Sequence, residues 1–406
     1  MTFSGDESPS LLGGVRILEL SSIVAGPLAA ALLGDFGAEV IKVEPPEGDA
    51  IRLTGPKKGG SSLRWKVSAR NKKNITLNLR ERKGQEICKR LAAKSDVLIE
   101  TFRPGTLEKW NLGWEDLKQV NPALIMLRIS GYGQTGPYSP RPGFGKAAEA
   151  MSGVMQITGF PDQMPISPGF SFADTVSGLT GAFAIMMALY HRDGLRRKTG
   201  QVIDVALFES LYRLIEWQII TFDQLKIIAR RNGARMAIPE TTGLVNNYVT
   251  RDNKWVAVSA SSRPVLNRVL KLVGGETLLN DERFNQKQIV QHMDQLDELV
   301  RGWIKERDRE EVIRLFVEAD AVAAPIYDVK DIFEDPHYAE RGDIISVEDE
   351  ELGKVRMLGV TPKFPAMPGK VRWAGKAAGA FNQEVYGGLL NMTAAEIESL
   401  KKEGII

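Results

Sequence analysis

The 406-residue chain carries 53 Lys and Arg against 51 Asp and Glu, with 43% hydrophobic and 26% charged residues. A net charge of +2 argues against a strongly basic nucleic-acid surface, and the length suffices for two domains around a large core. A single cysteine, Cys88, excludes an internal disulfide; with no signal peptide before Leu11 and apolar runs that read as too interrupted for a bilayer, a cytoplasmic protein is expected.

In chain order, residues 1–10 are polar and read as loosely held. VRILEL (15–20) reads as a buried strand, IVAGPLAAALLGDFG (23–37) as a helix closed by Gly37, and EVIKVE (39–44) as a second strand before the turn-rich PPEGD. This strand–helix–strand unit predicts a parallel sheet with a right-handed crossover. Glu44 sits where a dinucleotide-binding fold keeps its ribose ligand. The first turn is SSIVAG rather than GxGxxG, which disfavours a nicotinamide enzyme.

Next comes the basic stretch RWKVSARNKKNITLNLRERKG (64–84), then a helix to about Lys94 and the strand DVLIE (96–100). Cys88 falls in the amphipathic pattern GQEICKRLAAK and reads as a core residue. FRPGTLEKWNLG (102–113) reads as a loop and short helix, and LIMLRISGYG (124–133) as a strand entering a glycine-rich turn. The alternation supports a doubly wound α/β domain. QVIDVAL after 200 reads as another strand, and 208–231 as one long amphipathic helix leading to a linker. A smaller α+β unit follows, with the strand KWVAVSA (254–260) and helices near 262–273, 289–305 and 308–319. Short strands (GDIISVED, KVRMLGVTPKF) and a last helix, TAAEIESLKKEG, form a tail that packs back on the first domain. The expected division is 1–225, 226–330 and 331–406.

The stretch PISPGFSFADTVSGLTGAFAIMMALY (165–190) places one acid, Asp174, at the start of a long apolar helix, with Gly178 and Gly181 permitting close approach of another backbone. Asp174 reads either as a helix cap or as a catalytic carboxylate at the mouth of a cleft. The cluster Arg64, Lys66, Arg70, Lys72, Lys73, Arg80 and Arg82 reads either as a solvated face or as an anion site for a phosphorylated ligand such as a nucleotide or coenzyme A. The segment ISGYGQTGPYSPRPGFG (129–145) reads as a series of tight turns or as a source of backbone N–H groups for an oxyanion. His191, His292 and His337 are scattered, and neither a metal-ligand pattern nor GxSxG occurs. No metal and no prosthetic group are expected.

Taken together, LLGGVRILELSSIVAGPLAAALLGDFGAEVIKVEPP, RNKKNITLNL, ISGYGQTGPY and FADTVSG resemble the class III coenzyme A transferases (CaiB/BaiF type). The resemblance covers nearly the whole chain and implies a Rossmann-like large domain, a smaller domain and two chains threaded as interlocked rings. It implies Asp174 as the nucleophile, with Ile23, Val24 and Ala25 near the thioester. Leu77, Asn78 and Arg80 match the segment at the adenosine phosphates, Thr101 and Phe102 the pantetheine side, and Lys109 and Trp110 a further nucleotide contact. Phe144 stands where formyl-CoA transferases carry an aromatic residue, with Arg141 as carboxylate partner. Where some relatives have a coenzyme-binding Arg this chain has Pro45, so Lys42 or Arg52 is expected to substitute. Val24 replaces a Gln of the formyl-CoA enzymes, and their tetraglycine loop is missing near TTGLVNN, which disfavours formyl transfer.

The activity implied is CoA transfer from an acyl-CoA donor, with succinyl-CoA the first choice, to a malate, citramalate or itaconate type of acid. The alternatives are an α-methylacyl-CoA racemase, disfavoured because Phe144 occupies the position of its histidine, and a non-catalytic CoA-binding protein. A homodimer is expected, and a heteromer with a paralogous chain stays open. Neither nucleic acid nor membrane is an expected partner.

Overall fold

The structure, a computed structural model, describes residues 10–235, 237 and 243–406. Residues 1–9 and Thr241–Thr242 of the TTGLVNN stretch lie outside the described residues. The chain forms two compact units: the first takes it to Ser152 and adds Pro168–Ile215 and Glu340–Ile406, and the second comprises Gly153–Ser167 and Glu216–Ala339.

The first unit is built on six parallel strands: β1 (Arg16–Glu19), β2 (Glu39–Glu44), β3 (Lys72–Thr76), β4 (Val97–Glu100), β5 (Ile125–Ser130) and β6 (Gln201–Ala206). Their order is β3-β2-β1-β4-β5-β6. Central strands such as VLIE and IMLRIS are buried along their whole length, as parallel strands covered by helices on both faces must be. Helix α1 (Ala25–Asp35) crosses from β1 to β2. Helix α2 (Leu63–Ser68) precedes β3, and α3 (Arg82–Ala92) lays Ile87, Cys88 and Leu91 on Leu18, Ile41, Ile75 and Leu98 of the sheet. Burial pushes the Cys88 thiol up to about 12, so it is a core residue and an inert one. The exposed side of β3 is closed by the C-terminal tail: Trp373 Nε1 donates to Lys72 O (3.1 Å), Phe381 N to Asn74 O (3.1 Å) and Tyr386 Oη to Thr76 O (2.6 Å). Those bonds satisfy an edge that would otherwise be open to pairing.

This strand order reverses direction between β1 and β4. In open α/β sheets the crevice outside the carboxyl ends at that switch point is where ligands bind.

Helix α4 (Trp114–Val120) leads to β5, and α5 (Gly145–Met151) follows the glycine-rich loop. The long helix α6 (Phe172–Leu189) comes next. Two glycines inside it cost about 1 kcal/mol each relative to alanine, and packing explains them. A Cβ on Gly178 would lie 2.7 Å from Ala25 O in α1, and one on Gly181 would lie 2.8 Å from Leu127 Cδ2 in β5. By length and composition the segment Phe172–Gly194 is apolar enough to cross a bilayer, contrary to the sequence reading, but one of its faces is packed on α1 and the sheet.

The expected single helix over 208–231 is instead α7 (Leu207–Tyr212), a 3-10 turn (Arg213–Ile215) and α8 (Gln218–Leu225). Glu216 and Lys226, at φ 53° and 58°, break it; their left-handed backbone cannot continue a right-handed helix. The second unit holds an antiparallel sheet of β7 (Leu244–Val249), β8 (Trp255–Ala260) and β9 (Ala323–Pro325). It packs on α9 (Arg263–Leu279), kinked at Gly274–Gly275, α10 (Ile289–Lys305) and α11 (Arg309–Glu318). The hairpin of β10 (Ile344–Asp349) and β11 (Gly353–Leu358) and the last helix α12 (Ala394–Lys402) belong to the first unit.

Candidate active site

A cleft of about 460 Å³ opens at the switch point of the large sheet. Each wall is the loop that leaves one strand: Ser21 and Ser22 after β1, Pro45–Ala50 after β2, Leu77–Arg80 after β3, and Phe102 after β4, with Trp110 beside it. Phe102 and Trp110 meet edge to face at 5.2 Å. Leu77, Asn78, Arg80, Phe102 and Trp110, all singled out in the sequence, thus line one cavity. Arg80 is exposed there, and its side chain has no acidic partner among the described residues. Lys109, also exposed, lies next to Trp110 in sequence and outside the lining. Thr101 is half-buried and outside the lining: its Oγ1 accepts from Ser22 N at 3.1 Å, fastening the β1 turn to the end of β4.

The Phe102 wall is held from behind. Glu100 accepts from Phe102 N (2.6 Å) and from Arg128 Nε (2.7 Å), while Arg128 Nη1 donates to Glu108 (2.7 Å) on the turn that carries Trp110. Burial pushes the Glu100 carboxyl up to about 7 against the pull of Arg128. Nothing in the sequence pattern pointed to this triad, because its members are spread over three elements.

Lys42 is engaged within the fold and lies outside the cleft lining. It is buried, its Nζ donates to Ser21 O and to Asp49 (2.8 Å), and it lies 3.3 Å from Glu19. The opposite charges hold Lys42 protonated despite burial, its pKa raised. Arg52, the other candidate substitute for the residue missing at Pro45, is engaged by Glu44 through two bonds (2.6 and 2.7 Å) and stacks on Trp65. The remaining basic cluster is mostly structural too. Lys66 pairs with Asp349, Arg70 with Asp35, Lys72 with Glu19, and Lys73 with Glu39 and Glu384. Arg64, Arg80 and Arg82 have no ion pair among the described residues.

The buried charges serve the turn after β1. Lys42 grips Ser21 O, Glu19 accepts from Ser21 Oγ (3.0 Å), and Thr101 grips Ser22 N. Held in this way, the next residue, Ile23, has φ 68°. A β-branched residue in the left-handed region costs about 1–2 kcal/mol, so the surroundings must impose it. Val24 then caps α1 without a side-chain bond, and Ala25 is buried as its first residue. Ile23→Gly is expected to leave stability within about 1 kcal/mol of wild type, since relief of strain offsets the added chain entropy. The freed turn should lower turnover about 10-fold, as read by thermal melting and steady-state kinetics on one preparation.

Ala25 O faces Gly178, so the turn that brings Ser21 and Ser22 to the cleft leads directly into the surface on which α6 rests. Asp174 lies one helical turn before Gly178, on α6. It is not the helix cap: Ser171 occupies that position and its side chain makes no capping bond. The Asp174 carboxylate is half-buried and accepts from its own backbone N–H. Desolvation raises its pKa, the negative charge of Glu149 raises it further, and the backbone bond and Arg64 pull against them. Among the described residues no side chain donates a hydrogen bond to it. Its Oδ2 faces Gly145, where a Cβ would lie 2.5 Å away. Gly145 opens α5, and Glu149, one turn further on the same face, is buried.

Phe144 immediately precedes Gly145 and is 75% exposed. The loop before it is pinched at its neck, where a Cβ on Gly131 would lie 2.7 Å from Gly143 Cα. Arg141, on that loop, is exposed and stacks over Tyr138 at 3.6 Å. The sequence reading missed Gly145 and Glu149. Their signal was faint, since a glycine before a short helix has many uses.

The structure thus combines a parallel sheet of Rossmann strand order, a cleft at its switch point without the dinucleotide glycines, and a half-buried carboxylate to which no side chain among the described residues donates a hydrogen bond. Residues 12–380 match CoA-transferase family III, and the chain belongs to that family. It is 40% identical, over 99% of its own length and all of the other, to the succinyl-CoA–D-citramalate CoA-transferase of Chloroflexus aurantiacus. It is 38% identical to the beta subunit of the succinyl-CoA–L-malate CoA-transferase of the same organism, covering 97% of this chain and 98% of the other. Human succinyl-CoA:glutarate CoA-transferase is 32% identical, over 87% of this chain and 80% of that one. Among solved structures, a CaiB/BaiF family protein from Brucella suis superposes with a TM-score of 0.81 at 31% identity, covering 96% of this chain and 99% of that one.

Proposed function

We propose that this CoA-transferase moves coenzyme A from succinyl-CoA to a small dicarboxylate of the citramalate or malate type, through a covalent thioester on Asp174. The observation that carries the reading is the half-buried Asp174 carboxylate, to which no side chain among the described residues donates a hydrogen bond, on a helix packed against the start of α1. Three relatives named for succinyl-CoA and a dicarboxylate support the substrates.

In this reading Asp174 attacks the thioester carbonyl; the C–S bond breaks, and a mixed anhydride and a CoA thiolate form. The thiolate attacks the Asp174 carbonyl carbon, expelling the donor acid as its carboxylate and leaving an aspartyl-CoA thioester. The acceptor carboxylate then expels the thiolate, forming a second anhydride, and the thiolate attacks the acceptor carbonyl to restore Asp174. No net proton moves, and each difficult exchange is divided into two acyl transfers. Backbone N–H groups of the 129–145 loop, which ends against Asp174, receive the oxyanions. Leu77, Asn78, Phe102 and Trp110 form the coenzyme's cleft, and Arg80 takes over the phosphate contact expected of Lys42.

A matrix of acyl-CoA donors and acids, read by mass spectrometry of the CoA esters, tests the reading. Exchange from succinyl-CoA to citramalate or malate, well above exchange to fatty acids, is expected. Absence of exchange for every pair would sink it.

The assembly is part of the proposal. Leu179, Phe183, Met186, Met187 and Tyr190 are exposed along one stripe of α6 and its end, at helical spacing. A second chain, threaded with the first as the family resemblance implies, would cover them. The alpha and beta subunit names of the malate enzymes keep a paralogous partner open. Native mass spectrometry of the chain expressed alone should give a dimer; a monomer that dimerises only with a co-expressed paralogue would favour the heteromer.

A further inference from the structure

Dicarboxylic acyl groups carry a second carboxylate that takes no part in the exchange, and a selective enzyme must hold it. Arg141, the loop arginine beside Phe144, is committed to the face of Tyr138 and exposed. Arg64 stands differently. It is half-buried on α2, with its Cβ next to Gly55 of the preceding loop. Its Nη2 lies 3.5 Å from Ser171 Oγ, at the capping position of the helix that carries Asp174. The same guanidinium acts electrostatically on Asp174 without forming an ion pair with it. Four neighbours in the same stretch, Lys66, Arg70, Lys72 and Lys73, are each neutralised by an acid, whereas no carboxylate lies within ion-pair distance of Arg64 among the described residues. A partly desolvated guanidinium without a counter-ion is costly to keep, and it presents a planar fork suited to a carboxylate.

We infer that Arg64 holds the distal carboxylate of the dicarboxylic substrate while Asp174 works on its thioester end. This rests on Asp174 being the nucleophile of a dicarboxylate CoA-transferase. Selection for a dicarboxylate is then exerted beside the reacting aspartate, and Arg141 is left to the rim. Neutralising the distal charge at this point also keeps the substrate from repelling the Asp174 carboxylate as it approaches.

The test compares wild type, Arg64→Met, Arg64→Lys and Arg141→Met. Direct binding of glutarate is measured by calorimetry, and exchange is measured with succinyl-CoA and with its monocarboxylic isostere butyryl-CoA. Arg64→Met is expected to lose glutarate binding and about 100-fold in kcat/KM for succinyl-CoA, with butyryl-CoA unchanged or improved. Arg64→Lys should fall between, because it keeps the charge and loses the fork. Equal losses for both thioesters, unchanged glutarate binding in Arg64→Met, or transfer of the whole effect to Arg141→Met would each overturn the inference. The binding arm needs no turnover, so it decides on Arg64 even if the matrix of donors and acids fails and the transferase reading falls.

Discussion

Asp174→Ala is expected to remove CoA exchange by about 10⁴-fold or more while the protein folds to at least wild-type stability at neutral pH. The two halves of that outcome come from one observation. The Asp174 carboxylate is desolvated, feels the negative charge of Glu149 and, among the described residues, accepts a hydrogen bond from no group but its own backbone N–H, so its pKa is raised above that of an ordinary aspartate. The stability that goes with a raised carboxylate pKa is fully present below the unfolded value and is lost as pH rises through the folded one. Above that window the ionised group is a load on the fold, and a neutral replacement relieves it. Thermal melts of Asp174→Asn and wild type should therefore differ most near neutrality, the variant being the more stable, and converge as the pH falls below about 4. The activity profile carries the same signature. Turnover requires the carboxylate, so it falls on acidification, with a midpoint above the ordinary aspartate value. Glu149→Gln removes a like charge and should move that midpoint to lower pH. An unmoved midpoint would mean that Glu149 does not act on the nucleophile. In wild type, hydroxylamine added during turnover should convert Asp174 to the hydroxamate, and near wild-type exchange by Asp174→Ala would end the covalent mechanism.

The sheet was legible because parallel strands buried on both faces leave runs such as EVIKVE and LIMLRIS that few other structures tolerate. Five of the residues that the family resemblance singled out, Leu77, Asn78, Arg80, Phe102 and Trp110, line one cleft although they are scattered in sequence. The basic cluster was not legible. Lys66 and Lys73 are neutralised by Asp349 and Glu384, hundreds of residues away, and no local pattern reveals a partner at that distance. The Glu19 partner of Lys42 was hidden too, since it meets Lys42 only after β1 and β2 pair. The long helix over 208–231 failed because periodicity reports a buried face but not a left-handed break such as Glu216. Asp174 was read both as a cap, from its place at the start of an apolar run, and as the nucleophile through the family resemblance, and the structure corrects the first of these. The capping position is three residues earlier, which frees its carboxylate for other work.

Glycines separate the framework from the chemistry. At Gly178 an added Cβ meets the Ala25 carbonyl at 2.7 Å, a backbone atom that cannot step aside, so Gly178→Ala should destabilise the packing of α6 on α1. At Gly145 the added Cβ meets the Asp174 Oδ2 at 2.5 Å and little else, and that atom is the end of a rotatable side chain. Gly145 also has an ordinary backbone conformation at the start of α5, where alanine is the better helix former by up to about 1 kcal/mol. Gly145→Ala is therefore expected to keep or slightly raise the melting temperature. The carboxylate, swung away from its position, should lose about 100-fold or more in kcat, the scale on which a misplacement of about 1 Å acts on an oriented reaction. CoA binding should be unchanged, because Gly145 is not among the residues that line the cleft. A parallel loss of stability in Gly145→Ala would make this glycine a packing residue like Gly178. A stable variant that binds CoA yet barely exchanges it would show that the space above Asp174 exists for the acyl group.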